Sequence, residues 1–391
     1  MEERTLKNGQ TVFDIWIDLG KDSVTGKRVQ KTYAFRGGKR EAQRELNRLL
    51  SEAQAGKAAP PGRTSLGAYL TSWIDAKSDI GAKTKERYAE IITTHLIPNL
   101  GHVPLTKIST HDIEGFYRKA QTEGRRDGKG GLSAQTVLHF HRLLHKALAD
   151  AVKRRKLTQN PCDYVQAPSP EDTDLRVLDE EGTLRLLEEA KGTRLYFPCL
   201  IAALTGMRLG EILALKWTDV DLEAGILVVR QSQQETREGL NYKCPKNKRT
   251  RTNRIPSLLV EGLRELRQEQ EARKEMLGDG YQDRGLIVCQ ENGEAWKNAV
   301  LSKAFEHLAL KAGCPEVRFH DLRHGLASQL LKQGHAAHVV SGILGHARVS
   351  TTMNIYSHVL NGQAEAAATG LDAAFRAVME KGSSEPKSAA P

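Results

Sequence analysis

The hydrophobic period of this chain changes twice, and each change falls at a break rich in proline or glycine. Residues 55–62 contain two prolines and two glycines, and Asn160-Pro161 opens a second break that runs on to 174. A segment that alternates every second residue and one that repeats every 3.6 residues bury different faces, so these breaks divide the chain into separate folding units. A length of 391 residues fits that division, at roughly 100–200 residues per domain. The boundaries read from the sequence are 1–56, 63–165 and 174–380, followed by a polar tail, 381–391, expected to be disordered.

The first unit reads as strands followed by a helix. Residues 12–19 alternate, with Phe13, Ile15 and Ile17 on one face, and 28–36 alternate again after a turn containing Asp22, Ser23 and Gly26. A short edge strand is expected at 5–7, and a helix at 39–53 with Ala42, Leu46, Leu49 and Leu50 on its apolar stripe. The second unit is helical throughout. Leu66, Tyr69, Leu70, Trp73 and Ile74 mark one amphipathic helix, 84–95 a second that Pro98 stops, and 112–121 a third with Thr110 as its N-cap. Ser133 caps a long fourth helix ending in Lys153-Arg154-Arg155-Lys156, a run that suits both a solvated helix C-terminus and a phosphate clamp. The third unit mixes helices with short strands, including a β run at 226–230 and a polar, basic extended hairpin over 231–254. Ala367, Leu371, Ala374, Phe375 and Val378 recur at helical spacing near the end and form an apolar face to bury.

Charge is distributed unevenly over these units. Basic residues outnumber acidic ones 12 to 8 in residues 1–60 and 17 to 10 in 61–170, whereas the remainder carries 29 basic and 30 acidic residues. The whole excess of +10 therefore lies in the first two units, as expected when N-terminal modules hold a polyanion such as nucleic acid. With 39% apolar residues and no apolar stretch of about 18 residues, the chain reads as a cytoplasmic protein with no membrane span. Its start, Met-Glu-Glu-Arg, is no signal peptide. Five widely spaced cysteines, without a CxxC pair, read as reduced thiols.

The chemistry-bearing residues lie in the third unit. Arg208 follows an apolar helix in Thr205-Gly206-Met207-Arg208-Leu209-Gly210-Glu211, between glycines that let the backbone approach a ligand, although an ion pair with Glu211 three residues on explains it as well. His320-Asp321-Leu322-Arg323-His324 opens a helix and sets His320 and Arg323 on one face, where an arginine, an imidazole and the helix N-terminus favour an anion. Leu344-Gly345-His346 precedes another helix, and Tyr356 stands ten residues after His346.

In order and separation these residues resemble the active site of the tyrosine recombinases, the phage integrase family, over residues 176–360. The resemblance implies a multidomain architecture: a small N-terminal module of a three-stranded sheet plus a helix that binds arm-type DNA sites, an all-α core-binding domain, and a mainly α, α+β catalytic domain. It implies site-specific cleavage and rejoining of double-stranded DNA through a 3′-phosphotyrosine, integrating or excising a mobile element as a homotetramer on core-type and arm-type attachment sites. A DNA-bending accessory protein and an excisionase are further partners that it implies; no cofactor and no metal are. The catalytic set is then Arg208, Lys246, His320, Arg323, His346 and Tyr356. Lys246 stands in Pro245-Lys246-Asn247, where the family commonly has Pro-Lys-Thr, and Lys248 and Lys243 on the same basic stretch remain alternatives.

Two arginine forks suit the negative charge that gathers on a phosphodiester under attack, a role that otherwise falls to a metal ion. A phenol with a pKa near 10 needs help in losing its proton, for which His320 is the expected base, and Lys246 is the expected donor to the leaving 5′ oxygen. His346 is expected to hydrogen-bond the phosphate, and Glu211 to buttress Arg208. Arg28, Lys31, Tyr33 and Arg36 on the sheet, Lys153, Arg154 and Arg155 at the long helix, and Lys248 are the expected DNA-facing residues. A type IB topoisomerase and a DNA-binding regulator without catalysis are the competing readings; the N-terminal module argues against the first and the filled polar positions against the second.

Overall fold

The computed structural model describes residues 2–5, 11–21, 28–54, 64–170, 178–244, 250–356 and, near the end, 369–373, 375–376 and 379. The chain falls into two compact units, Met1–Thr173 and Asp174–Pro391.

Strands Glu2–Thr5, Thr11–Lys21 and Arg28–Arg36 form an antiparallel sheet in chain order, so the edge strand lies earlier than the expected 5–7. Ile15 stands opposite Tyr33 in the register and is fully buried, with Tyr33, Phe35 and Leu46 packed on it. Helix Lys39–Gln54 starts where Gly38 donates its N–H to Glu41, and it buries Ala42.

The following helices, Leu66–Asp75, Ala82–Ile91, Ile97–Leu100, Thr110–Glu123 and Ala134–Lys153, enclose one apolar core. Pro98 does not end its helix. The chain widens into a π-turn over Ile92–Leu96, in which Ile97 donates to Ile92, and then resumes as helix with Pro98 in its first turn, where the missing N–H costs nothing. Helix Thr110–Glu123 is capped by Ser109 rather than Thr110, because Asp112 three residues on accepts a bond from the Ser109 N–H in a reciprocal capping box. Its first and last long helices are tied by polar bonds as well as apolar packing: Trp73 Nε1 donates to Asp150 at 2.9 Å, Lys77 pairs with Asp150 at 2.8 Å, and the Tyr69 hydroxyl donates to the Ala147 carbonyl. Lys153, Arg154 and Arg155 are exposed at the helix end.

In the second unit, helices Glu180–Ala190, Tyr196–Thr205, Ser257–Leu277, Asn298–Lys311 and Asp321–Lys332 pack around one core with two small sheets at its edge. The stretch read as one long hairpin divides. Ser232–Thr236 and Gly239–Lys243 make a tight two-stranded hairpin turned at Gly239, whose φ is +120°, while Arg251–Arg254 pairs instead with Ile226–Val229. The short helices Leu209–Ile212, Ala337–Leu344 and Val349–Ile355 carry the site residues at their ends. Leu371 and Phe375, expected on a buried stripe, are 60% and 66% exposed; Ala367, Ala374, Val378 and the tail 381–391 lie outside the described residues. Among the described residues no helix is long and apolar enough to cross a membrane.

One glycine of this framework is fixed by both conformation and space. Gly206 ends helix Tyr196–Thr205 at φ +63°, and a Cβ there would stand 2.5 Å from Leu344 Cδ2. Gly206→Ala is expected to destabilise the second unit by roughly 1–3 kcal/mol, from left-handed strain plus the clash. Urea unfolding of the full chain reads this directly; an unchanged midpoint for that unit would show that the turn relaxes freely.

Candidate active site

Three arginines and one buried carboxylate organise the site. Glu211 is 3% exposed and accepts from Arg251 at both oxygens, at 3.0 and 2.6 Å, while Arg208 donates to it through its backbone N–H at 2.9 Å and Nη1 at 3.0 Å. Burial alone raises a carboxyl pKa, but the Arg251 bonds and charge, with those of Arg208, bring Glu211 down to about 2. The Arg208–Glu211 pair foreseen from their spacing is therefore real, and the Arg208 side chain is still 43% exposed, with Nη2 3.5 Å from the Gly345 carbonyl.

Arg323 is 2% exposed and donates from Nη1 to the carbonyls of Gly206 at 2.6 Å and Leu344 at 2.7 Å. Burial and the nearby Arg208 charge draw it down to about 9, so it stays charged at neutral pH. Its Nη2 is buried without a hydrogen-bond partner among the described residues. Arg208 and Arg323 thus bind two successive carbonyls of the Leu344-Gly345-His346 turn, which brings three separate sequence motifs together. The turn needs its glycine: Gly345 has φ +69°, and a Cβ there would meet the Arg251 guanidinium at 2.9 Å.

The imidazoles beside this turn are held in the neutral form. His320, at the start of helix Asp321–Lys332, is lowered to about 4 by lost hydration and by the neighbouring His324, Arg323 and Arg208; because the residue is exposed, the arginine charges are the firmer cause. His346 is lowered to about 4 by burial and by Arg323 and Arg208, and its Nδ1 lies 2.7 Å from the Thr352 hydroxyl. Tyr356 caps the C-terminus of helix Val349–Ile355 instead of lying within it. It is fully buried among Ala327, Leu331, Val340 and Leu344, with its hydroxyl 2.7 Å from His324 Nδ1. Burial pushes the phenol up to about 12, against the pull of Arg323.

Five of the six expected catalytic residues therefore surround one turn. Lys246 and Lys248 lie outside the described residues, between Cys244 and Thr250, whereas Lys243 ends the hairpin. Sequence reasoning missed two participants. His324 was visible as the last residue of the HDLRH stretch, but nothing local tied it to Tyr356. Arg251 was one cation in a basic run, and only strand pairing singles it out. Of the expected DNA-facing residues on the sheet, Arg36 is exposed, while Tyr33 packs on Ile15 and so belongs to the face that meets the helix. The Arg28 and Lys31 side chains lie outside the described residues. Among the described residues no group of three or more His, Cys, Asp or Glu is placed to hold a metal ion.

Comparison with known proteins agrees with this arrangement. A family model described as "Phage integrase family" matches residues 176–363, and one described as "Phage integrase, N-terminal SAM-like domain" matches 65–120. A protein named tyrosine recombinase XerC-like, from Caldanaerobacter subterraneus subsp. tengcongensis, is 29% identical over 91% of this chain and 94% of its own length. The ICEBs1 integrase of Bacillus subtilis is 27% identical over 95% and 99%. Among solved structures, the Tn1549 transposon integrase in complex with transposon right end DNA shares the fold with a TM-score of 0.66, at 18% identity over 78% of this chain and 99% of that one. A lambda integrase dimer bound to a COC′ core site gives 0.56, at 20% identity over 90% and 94%. With its catalytic and helical domains both matched by models of one family, and with relatives aligned along nearly its whole length, this chain belongs to the phage integrase family, the tyrosine-type site-specific recombinases.

Proposed function

We propose that this recombinase cuts and rejoins double-stranded DNA through Tyr356, integrating or excising a mobile element. The observation that carries this reading is the convergence of Arg208 and Arg323 on the Leu344-Gly345-His346 turn, with Tyr356 against the same helix ends. Two guanidinium groups in a partly dry site offer the positive charge a pentavalent phosphate needs. Arg208 is open to bind one nonbridging oxygen, and Arg323 Nη2 is the donor left over for another. Neutral His346 donates to the phosphate, and neutral His320 orients the attacking phenol or takes its proton. Tyr356 Oη forms the bond to phosphorus, the 5′ oxygen leaves with a proton from Lys246, and the 3′-phosphotyrosine retains the bond energy for rejoining. Tyr356 is buried with its hydroxyl on His324, so its attack requires that side chain to move out of the pocket.

The remaining assignments extend this reading. Residues 1–56 bind arm-type sites and 63–165 grip the core-type site, in keeping with the excess of basic residues there and the exposed Lys153, Arg154 and Arg155. Arg28, Lys31 and Arg36 serve the arm site, with Lys248 beside the core. The active assembly is a homotetramer on DNA, assisted by a DNA-bending protein and an excisionase; exposed Leu371 and Phe375 provide apolar contacts for a neighbouring subunit. A lambda integrase tetramer bound to a Holliday junction shares the fold, with a TM-score of 0.53.

Three measurements test this chemistry. On a nicked suicide duplex carrying the core-type site, the wild type is expected to trap a covalent adduct in EDTA, and Tyr356→Phe none; an adduct with that variant would assign the nucleophile elsewhere. Lys246→Ala should be slowed at least about 100-fold on the ordinary phosphodiester and largely restored on a 5′-bridging phosphorothiolate, whose sulfur leaves unprotonated; equal loss on both moves the role to Lys248. Because both imidazole pKa values lie near 4, the His320 and His346 ring signals of the DNA-free protein should keep their neutral-form shifts in NMR spectra from about pH 7.5 to about 5.5. An inflection near 6.5 would show that neither feels the arginines.

A further inference from the structure

Arg251 has no place in the chemistry above, yet it lies at the centre of the contacts around Glu211 and Gly345. It opens strand Arg251–Arg254, immediately after the segment carrying Lys246 and Lys248. Both of its terminal nitrogens bind Glu211, and the Gly345 backbone lies so close to its guanidinium that a Cβ could not be inserted. Two residues along the same strand, buried Asn253 donates to the Ile343 carbonyl, which fixes the strand against the helix end that leads into Gly345.

The consequence is electrostatic. Glu211 is buried, and a buried carboxylate takes whatever cation can reach both of its oxygens. If Arg251 did not hold them, Arg208 would be the remaining cation in contact, already bonded through Nη1 and its own N–H. It would close a two-pronged pair with Glu211, leave the Gly345 carbonyl, and lose most of its charge toward solvent. With Arg251 present, two cations share one anion, so a net positive charge remains on the outward-facing Arg208.

We propose that Arg251 is a positioning residue for the scissile phosphate: it occupies Glu211 so that Arg208 stays free to bind DNA, and it supports the Gly345 turn that presents His346. This rests on the reading that Arg208 holds the phosphate. It makes an unusual forecast, that removing the carboxylate as well should repair the loss of the arginine.

Adduct formation on the nicked core-site duplex at saturating full-length protein is the readout, with half-site binding and thermal melting measured alongside. Arg251→Met should slow the cleavage step about 100-fold while half-site affinity changes by less than about threefold. The double variant Arg251→Met with Glu211→Gln should recover to within about tenfold of wild type, a rescue that a purely structural role for Arg251 does not give. If Arg251→Met melts below the assay temperature, Arg251→Gln, which can still donate to Glu211, replaces it with the same two expectations. Wild-type cleavage by the single variant, or a double variant no faster than the single, overturns the inference. Arg208→Ala separates the two levels: if it cleaves at the wild-type rate, the phosphate-binding reading itself falls, whereas an inactive Arg208→Ala beside a failed rescue rejects Arg251 alone.

Discussion

The site depends on placing the Arg323 cation where water is nearly absent. Its hydrogen bonds from Nη1 go to the Gly206 and Leu344 carbonyls, and each of these stands at the C-terminal end of a helix, Tyr196–Thr205 and Ala337–Leu344. Helix C-termini carry unsatisfied carbonyls and partial negative charge, so two of them aimed at one guanidinium offset much of its lost hydration. The opposing term is local. Arg323 sits in the first turn of its own helix, the end that disfavours a cation, and Arg208 adds repulsion. Such a balance keeps the arginine charged but without a carboxylate partner of its own, which leaves it available to a phosphate. Both supporting helices end in left-handed glycines, Gly206 and Gly345, and that is why the carbonyls can turn inward there.

Tyr356 occupies the other side of the same support. It packs on Leu344, whose carbonyl holds Arg323, and its hydroxyl rests on His324, one residue after Arg323. The hold on Arg323 and the burial of Tyr356 therefore share one short helix end. A buried phenol with its pKa at about 12 is a poor nucleophile, and its hydroxyl is held 2.7 Å from His324 Nδ1. If Tyr356 is the nucleophile, as proposed, exposing it is a conformational step that must precede the chemical one.

Much of this was legible in the sequence because it is local. Helix Asp321–Lys332 falls where its pattern places it, Ser133 caps its helix as expected, and the Arg208–Glu211 pair follows from i, i+3 spacing. Readings that depended on partners distant in sequence went astray. Strand Arg251–Arg254 leaves the hairpin for Ile226–Val229, and no pattern within 231–254 encodes that choice. Tyr33 looked like a surface aromatic on an alternating strand, but the register sets it opposite Ile15 and thus on the buried face. Pro98 read as a stop signal, whereas one widened turn before it accommodates the ring. The expected catalytic residues could be gathered into one site only through family resemblance, since contacts that bring Arg208 and Arg323 to the same turns span more than a hundred residues, as from Arg208 to Gly345 and from Arg323 to Gly206.

The division of charge along the chain takes on a physical meaning in this light. The region after residue 170 has 29 basic against 30 acidic residues, so it carries no net positive charge with which to attract a polyanion. Its positive charge is arranged locally instead: Arg208 and Arg251 share the buried Glu211, Arg323 lies beside them where water is nearly absent, and of the three Arg208 is the one that faces solvent. The excess of basic residues lies in residues 1–170, and the attraction of such an excess to a polyanion acts over about a Debye length and weakens as salt rises. On the proposed reading, holding the duplex and activating one phosphodiester then fall to different electrostatic regimes: a salt-sensitive attraction that tolerates any sequence, and a fixed group of arginines at the Leu344-Gly345-His346 turn.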